Sequence, residues 1–198
     1  MTQIDCIEIS KRFNRNILFR DFTYKFKNTT KYAILGENSS GKSTLLKIIG
    51  GVLSATKGEI NYSNNINQSN QISYSSPEMD LLNDYSIQEL FDFHFQFKKP
   101  KISIKEQLIT SKLMDYKDKK YSTLSSGIAN KVKLSLAIFT NSPVLLLDEP
   151  CTNFDHENNK WYTQMIDKYC NNQIIIVASN NSYEYSFCKE QINIQHFK

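Results

Sequence analysis

Eight consecutive residues, Gly36-Glu37-Asn38-Ser39-Ser40-Gly41-Lys42-Ser43, fit the pattern G-x-x-x-x-G-K-[ST] in full, and Thr44 follows them. A loop of this kind holds phosphate. Its backbone N–H groups and the N-terminus of the helix after it converge on one spot and favour an anion there. Gly36 and Gly41 permit backbone turns and close approaches that a side chain would block. Lys42 is placed to reach the β- and γ-phosphates of a nucleoside triphosphate, and the Ser43 hydroxyl to ligate Mg²⁺. A second set, Asp148-Glu149, ends the apolar run Val144-Leu145-Leu146-Leu147. Asp148 can hold Mg²⁺ through water beside Ser43. Glu149 is the natural general base for an attacking water. Two carboxylates at a strand end can also simply cap the next helix, but next to a complete phosphate loop they read as a reaction site.

The elements that must position these residues are visible in outline. Residues 4–9 and the alternating Phe22, Tyr24 and Phe26 suggest two strands near the N-terminus. Tyr32-Ala33-Ile34-Leu35 reads as a buried strand feeding the loop, and Leu45–Ile49 as a helix that Gly50-Gly51 ends. A turn and strand follow at 56–62. Residues 61–71, rich in Asn, Ser and Gln, read as an exposed hairpin tip or loop, and 72–74 as a short strand. Ser86 with Glu89, and Ser103 with Glu106, mark two helix starts. A long helical pattern follows Leu124-Ser125-Ser126-Gly127. The run 144–147 is a fully buried strand that delivers Asp148 and Glu149 at its C-terminal end, where open parallel sheets bind ligands. A helix at about 156–170, a buried strand at 174–177, then a short helix and a last strand at about 191–196 complete the chain. Phe13, flanked by Arg12 and Arg15, is either an adenine-stacking ring or an edge aromatic.

The 198 residues suffice for one domain with a sizeable core. The net charge of +4 suits a polyanionic nucleotide. The lysines are scattered, so no nucleic-acid groove is expected. No apolar run approaches the roughly 20 residues that span a bilayer, and residues 1–6 lack the features of a secretion signal. The four cysteines form no C-x-x-C pair and are expected to be free thiols in a reducing compartment.

The order of phosphate loop, Leu124-Ser125-Ser126-Gly127 and Val144-Leu145-Leu146-Leu147-Asp148-Glu149-Pro150 resembles the ABC-type ATPase, the ATP-binding subunit of ABC transporters. Thr152-Asn153-Phe154-Asp155 resembles the family's D-loop, and Phe13 falls where the family places its adenine-stacking aromatic. The short length looks most like the haem-exporter, cytochrome-c-biogenesis type. The resemblance implies an α/β P-loop NTPase of ABC type. A mainly parallel core sheet is flanked by helices, with an N-terminal antiparallel β subdomain and an α-helical subdomain at about 78–140. All of it lies within a single ATP-binding domain, residues 1–198. It implies ATP and Mg²⁺ as ligands and a head-to-tail dimer with a second ATP-binding subunit, the same or different. In that dimer Ser125, Ser126 and Gly127 serve the partner's γ-phosphate. It also implies a separate membrane-spanning subunit, and hence a place in the cytoplasm on the inner face of the plasma membrane. Phe91, Phe93, Phe95 and Phe97 either help to dock that subunit or pack inside the helical region.

Several positions depart from the family pattern. Ser126 stands where glycine is preferred, and Ile128 where glutamine is. Pro77 aligns with the Q-loop glutamine, and a proline side chain cannot ligate Mg²⁺ or position water. Asn180 takes the place of the switch histidine; His94, His156 and His196 all lie elsewhere in the sequence. These losses motivate a second reading, an ATP-driven dimerisation switch without transport. A nucleotide kinase would share the loop but leaves the signature stretch and Asp148-Glu149-Pro150 unexplained. The Asn180 amide can donate to a γ-phosphate oxygen but cannot carry charge. Charge-assisted hydrogen bonds are about twice as strong as neutral ones. Hydrolysis is therefore expected to be slow with ATP binding kept, and Asn180→His should raise MgATP turnover; an unchanged or lower rate refutes the argument.

Overall fold

The computed structural model describes residues 2–63 and 71–198. Two sheets organise it. In the smaller, β1 (Gln3–Phe13) pairs antiparallel with β2 (Asn16–Lys27) on one side and β4 (Lys57–Tyr62) on the other. The larger sheet is parallel throughout. It contains β3 (Lys31–Leu35), β5 (Ile72–Ser75), β6 (Val144–Asp148), β7 (Ile174–Ala178) and β8 (Glu190–Asn193), in the order β5-β6-β7-β3-β8. Five helices stand among the described residues: α1 (Lys42–Ile49), α2 (Ile87–Phe97), α3 (Ile104–Thr110), α4 (Ser126–Phe139) and α5 (His156–Tyr169).

The apolar runs of the central strands are continuous because both of their faces are covered. Tyr32, Ile34, Val144, Leu146, Ile174 and Ile176 face a cluster shared with α1 and the antiparallel sheet, which supplies Phe19, Phe22 and Phe26. Ala33, Leu145, Leu147, Ile175 and Val177 point the other way, toward Phe139 of α4 and Trp161, Tyr162 and Ile166 of α5. A fully buried side chain of this size contributes about 1.5–3 kcal/mol. The middle of the sheet is thus the most firmly held part of the fold, and the site residues hang from its C-terminal ends.

Local signals explain the helix ends. Val52 N–H bonds to Lys47 O (2.9 Å) and Gly51 N–H to Ile48 O (3.0 Å), with Gly51 at φ 73°. This is the reversal that a glycine at C′ makes easy. Ser86/Glu89 and Ser103/Glu106 both close as capping boxes.

One expectation needs correction. No helix precedes the last strand: residues 182–187 are turns, β8 starts at Glu190, and a single 3₁₀ turn, Ile194–Phe197, comes after it. Asn181 Oδ1 accepts from Tyr183 N–H (3.1 Å), the local side-chain bond by which Asn favours turns over helix. The aromatic run on α2 divides. Phe91 is buried and Phe95 packs inward, whereas Phe93 and Phe97 are 41% and 65% exposed and contact each other at 5.3 Å between ring centroids. Most of the proposed 61–71 loop, residues 64–70, lies outside the described residues. All four cysteines are free and buried.

His94 on α2 bonds through Nε2 to Thr140 Oγ1 (2.9 Å). Burial, with Lys98 adding to it, lowers its pKa from 6.5 to about 4. Between those values the unfolded chain binds a proton that the folded chain refuses, so stability should fall as pH drops from about 6.5 toward about 4. Urea midpoints measured across that window should show the slope in the natural protein and a shallower one in His94→Gln.

Candidate functional site

β3 carries the chain to Gly36, and the phosphate loop then turns into α1. Gly36 (φ 147°) and Gly41 (φ 107°) take backbone conformations that L side chains rarely adopt. Ser39 is also left-handed, at φ 62°, and there the conformation is held without a glycine. Gly41 caps α1 without any side-chain acceptor, and the first turn holds no acidic residue. The N–H groups of that turn therefore have no capping partner from the chain, and their partial positive charge faces the cleft. The cleft is about 320 Å³, lined by Phe13, Leu18, Asn38, Ser39, Ser40, Gly41, Lys42, Ser43, Thr44 and Glu149. An uncapped helix N-terminus opening into such a cleft fits a phosphate chain.

Lys42 is 5% exposed, and its Nζ donates to Gly36 O (2.7 Å) and Glu37 O (3.0 Å). Burial lowers its pKa, against the pull of Glu149 and Asp148. Asp148, at the end of β6, is 4% exposed. Its Oδ1 accepts from Ser43 Oγ (2.9 Å) and its Oδ2 from Tyr74 Oη (3.4 Å). Burial raises its pKa, partly offset by the Ser43 bond. The ammonium thus rests on backbone carbonyls and the carboxylate on hydroxyls. Glu149 has φ 42°, and its N–H donates to Ala178 O (2.9 Å), which turns its side chain into the cleft.

The donor set at Asp148 and Ser43 is hard oxygen beside a carboxylate short of positive charge. Among the described residues no group of three or more His, Cys, Asp or Glu side chains could hold a metal. The hard oxygens of Ser43 and Asp148 fit Mg²⁺, which takes one or two protein oxygens and fills its octahedron with phosphate and water.

The structure therefore brings together Phe13, the loop from Gly36 to Thr44, Asp148 and Glu149. Phe13 is half exposed, with Lys11 Nζ 4.9 Å from its ring centroid. Asn180 joins this group, its Nδ2 donating to Asn38 Oδ1 (2.8 Å). Ser125, Ser126 and Gly127 do not line the cleft. Ser125 and Ser126 are exposed at the N-terminus of α4, and a Cβ on Gly127 would come within 2.9 Å of Asn153 O. Pro77 offers only its carbonyl, to Lys133 Nζ, while Glu78 pairs with Lys47 (3.0 Å). Three contributors escape the sequence reading: Tyr74, Asn130 and Glu184. Only Asn130 leaves a signal, as a polar residue on the helical face of Leu134, Ala137 and Ile138.

The ABC transporter family model matches residues 19–152. The cytochrome c biogenesis ATP-binding export protein CcmA of Reclinomonas americana is 29% identical over 184 residues, covering 85% of this chain and 80% of that protein. An ABC transporter ATP-binding protein from Pyrococcus furiosus superposes with a TM-score of 0.83 at 23% identity, over 99% of both chains. A dimeric ATP-binding cassette in a post-hydrolysis state, bound to ADP and Pi, superposes with a TM-score of 0.82 at 19% identity, over 96% of this chain and 94% of that one. At these identities the two superpositions establish the shared fold.

The buried Asp148 predicts opposite effects on stability and binding. Its raised pKa means that the carboxylate costs stability near neutral pH, a cost that eases as pH falls. Asp148→Asn should raise the nucleotide-free melting temperature, by about 2–4 °C per kcal/mol recovered. The same change should abolish the dependence of ATP affinity on Mg²⁺. A lower melting temperature would count against this account of the site.

Proposed function

This chain belongs to the ABC transporter family, as an ATP-binding subunit and an ATPase, and we propose that it energises transport by ATP-driven head-to-tail dimerisation with slow hydrolysis. The observation that carries the proposal is the single cleft uniting Phe13, the phosphate loop and Glu149, with Asp148 hydrogen-bonded to Ser43 at its floor.

In this reading ATP stacks its adenine on Phe13. Its phosphates enter the loop from Gly36 to Thr44, and Lys42 leaves the carbonyls of Gly36 and Glu37 for the β- and γ-phosphates. Ser43 and Asp148 would hold Mg²⁺, which neutralises phosphate charge when bound. Glu149 accepts the proton of the attacking water. Asn180, already bonded to the loop through Asn38, donates from an uncharged amide near the γ-phosphate. Ser125, Ser126 and Gly127 lie outside their own cleft because they complete the partner's. Their exposed position at the start of α4 gives the second phosphate contact a helix N-terminus. Ser125 Oγ accepts only a long bond from Ile128 N–H (3.4 Å), which leaves its hydroxyl hydrogen for a ligand. ATP binding closes the dimer and hydrolysis opens it.

Residues 1–198 form one ATP-binding domain, with about 78–140 as its helical part. A separate apolar cluster around Phe91, Leu108, Leu113 and Val132 supports that division. None of the helices among the described residues is long and apolar enough to cross a membrane. In this reading transport uses a separate membrane-spanning subunit, which would place this chain on the inner face of the plasma membrane. The docking surface is the exposed row Tyr85, Phe93 and Phe97. The groove of about 270 Å³ between β5, α2 and α4, lined by Ile72, Tyr74, Met79, Leu81, His94 and Leu136 among others, continues it. The non-transport switch stays open as a second reading because Pro77 and Asn180 remove two groups the family uses in hydrolysis. No nucleic-acid partner is proposed.

The test is MgATP turnover across a range of protein concentrations, beside Lys42→Ala and Glu149→Gln. Turnover should rise faster than linearly with concentration and vanish in both variants. ATP-dependent dimers without turnover, with or without a candidate membrane subunit, would favour the switch.

A further inference from the structure

The loop that leaves Asp148-Glu149 is gripped from two sides. Asn130, in the second turn of α4, is 4% exposed. Its Nδ2 donates to Pro150 O and to Thr152 O, each at 2.9 Å. Two carbonyls can be served only by the amide NH₂, so the side chain has one orientation. Across the loop, Glu184 is 3% exposed, and its Oε1 accepts from Cys151 N–H (2.7 Å). Glu184 is itself anchored, its backbone carbonyl accepting from Tyr162 Oη (2.9 Å). Inside the loop, Thr152 donates to Glu149 O from both Oγ1 (2.9 Å) and its N–H (3.2 Å). Glu149 therefore keeps its left-handed backbone through bonds to a residue that Asn130 holds. Three residues before Asn130, Gly127 meets the same loop at Asn153 O, at a spacing that leaves no room for a Cβ.

We infer that Asn130 is a positioning residue for Glu149 and makes the 149–154 loop and the first turns of α4 one mechanical unit, with Glu184 holding that loop from its other side. This rests on the proposed reading in which Ser125–Gly127 serve the partner's nucleotide. In that arrangement the helix end that meets the partner's phosphate cannot move without moving the protomer's own general base. The two sites of a dimer are then coupled inside each protomer, through one amide.

Three variants test this: Asn130→Asp, nearly isosteric but without the donor, Asn130→Ala, and Asn130→Gln, which keeps the amide. Turnover, ATP affinity and hydrogen exchange of the 149–155 segment are read on each. Asp and Ala should lower kcat at least tenfold, leave ATP affinity within about threefold, and speed exchange at 149–155 while β6 and β7 stay protected. Gln should recover part of the rate. A wild-type kcat in Asn130→Asp, or a loss in all three variants matched by the same loss of ATP-binding stoichiometry, overturns the inference. Should Asn130→Ala not fold, Glu184→Ala probes the unit from its other side with the same readouts. If the natural protein shows no Lys42-dependent turnover, the functional reading fails. Exchange at 149–155 then decides alone, and an unchanged rate in Asn130→Asp refutes the clamp.

Discussion

An ammonium and a carboxylate are both buried at the C-terminal end of the central sheet, and they are not paired with each other. Lys42 and Asp148 form no ion pair among the described residues; one leans on carbonyls and the other on hydroxyls. Burying charge without a partner is costly, and each group responds in the direction expected, with its charged form disfavoured. A stable core has little use for such an arrangement. It makes sense as a site awaiting charge of both signs: phosphate for the lysine and the helix end, a cation for the aspartate. The rest of the fold follows from that need. Strands covered on both faces give the two groups a rigid floor. The antiparallel sheet brings Phe13 to the rim, and α1 must begin at the bottom of the cleft.

Part of the chain's backbone strain lies at the same place. Gly36, Ser39, Gly41 and Glu149 all take positive φ within the loops that form the cleft. A left-handed residue other than glycine costs about 1–2 kcal/mol, and such conformations persist only where surrounding bonds over-determine them. For Glu149 those bonds come from Ala178 and Thr152. Much of the hydrogen bonding beneath the site therefore serves the backbone that aims the side chains. Asn130 and Glu184 belong to that layer, and neither touches the cleft.

What could be read from the sequence follows from the range of each interaction. The phosphate loop, the capping boxes, the glycine stop of α1 and the buried strands are local, written in residues at most a few positions apart. Each appears where the pattern puts it. The resemblance to the ABC-type ATPase supplied the long-range order, and the sheet agrees with it. What local pattern could not supply is contact between distant segments. Tyr74 reaches Asp148 over 74 positions, Glu184 reaches Cys151 over 33, and Asn130 reaches Thr152 over 22. Phe91, Phe93, Phe95 and Phe97 show a second boundary: the sequence reveals a cluster, but only helix orientation separates the inward pair from the outward one. The misplaced short helix near the C-terminus is a third case, where one Asn side chain outcompeted helical hydrogen bonding.

The departures from the family pattern bear unequally on binding and on chemistry. In the proposed reading, every group that would meet the ground state of a nucleotide is present: the uncapped helix, the lysine, Ser43 and Asp148, and a ring at the rim. The altered positions are those that sense or position the reacting groups. Next to Pro77 stands the carboxylate of Glu78, whose pair with Lys47 joins side chains 77% and 32% exposed. Pairs that open to solvent are worth about 0–1 kcal/mol, so Glu78 is cheaply released toward the site. At Asn180 the neutral bond to Asn38 is also weak, worth about 0.5–1.5 kcal/mol. An incoming phosphate can displace it, but the bond that replaces it carries charge on the acceptor alone. Interactions that are equally strong in the ground and transition states improve binding without raising kcat. On the proposed function, a site that keeps its binding groups and loses a charge-gaining donor would close on ATP readily and reopen slowly.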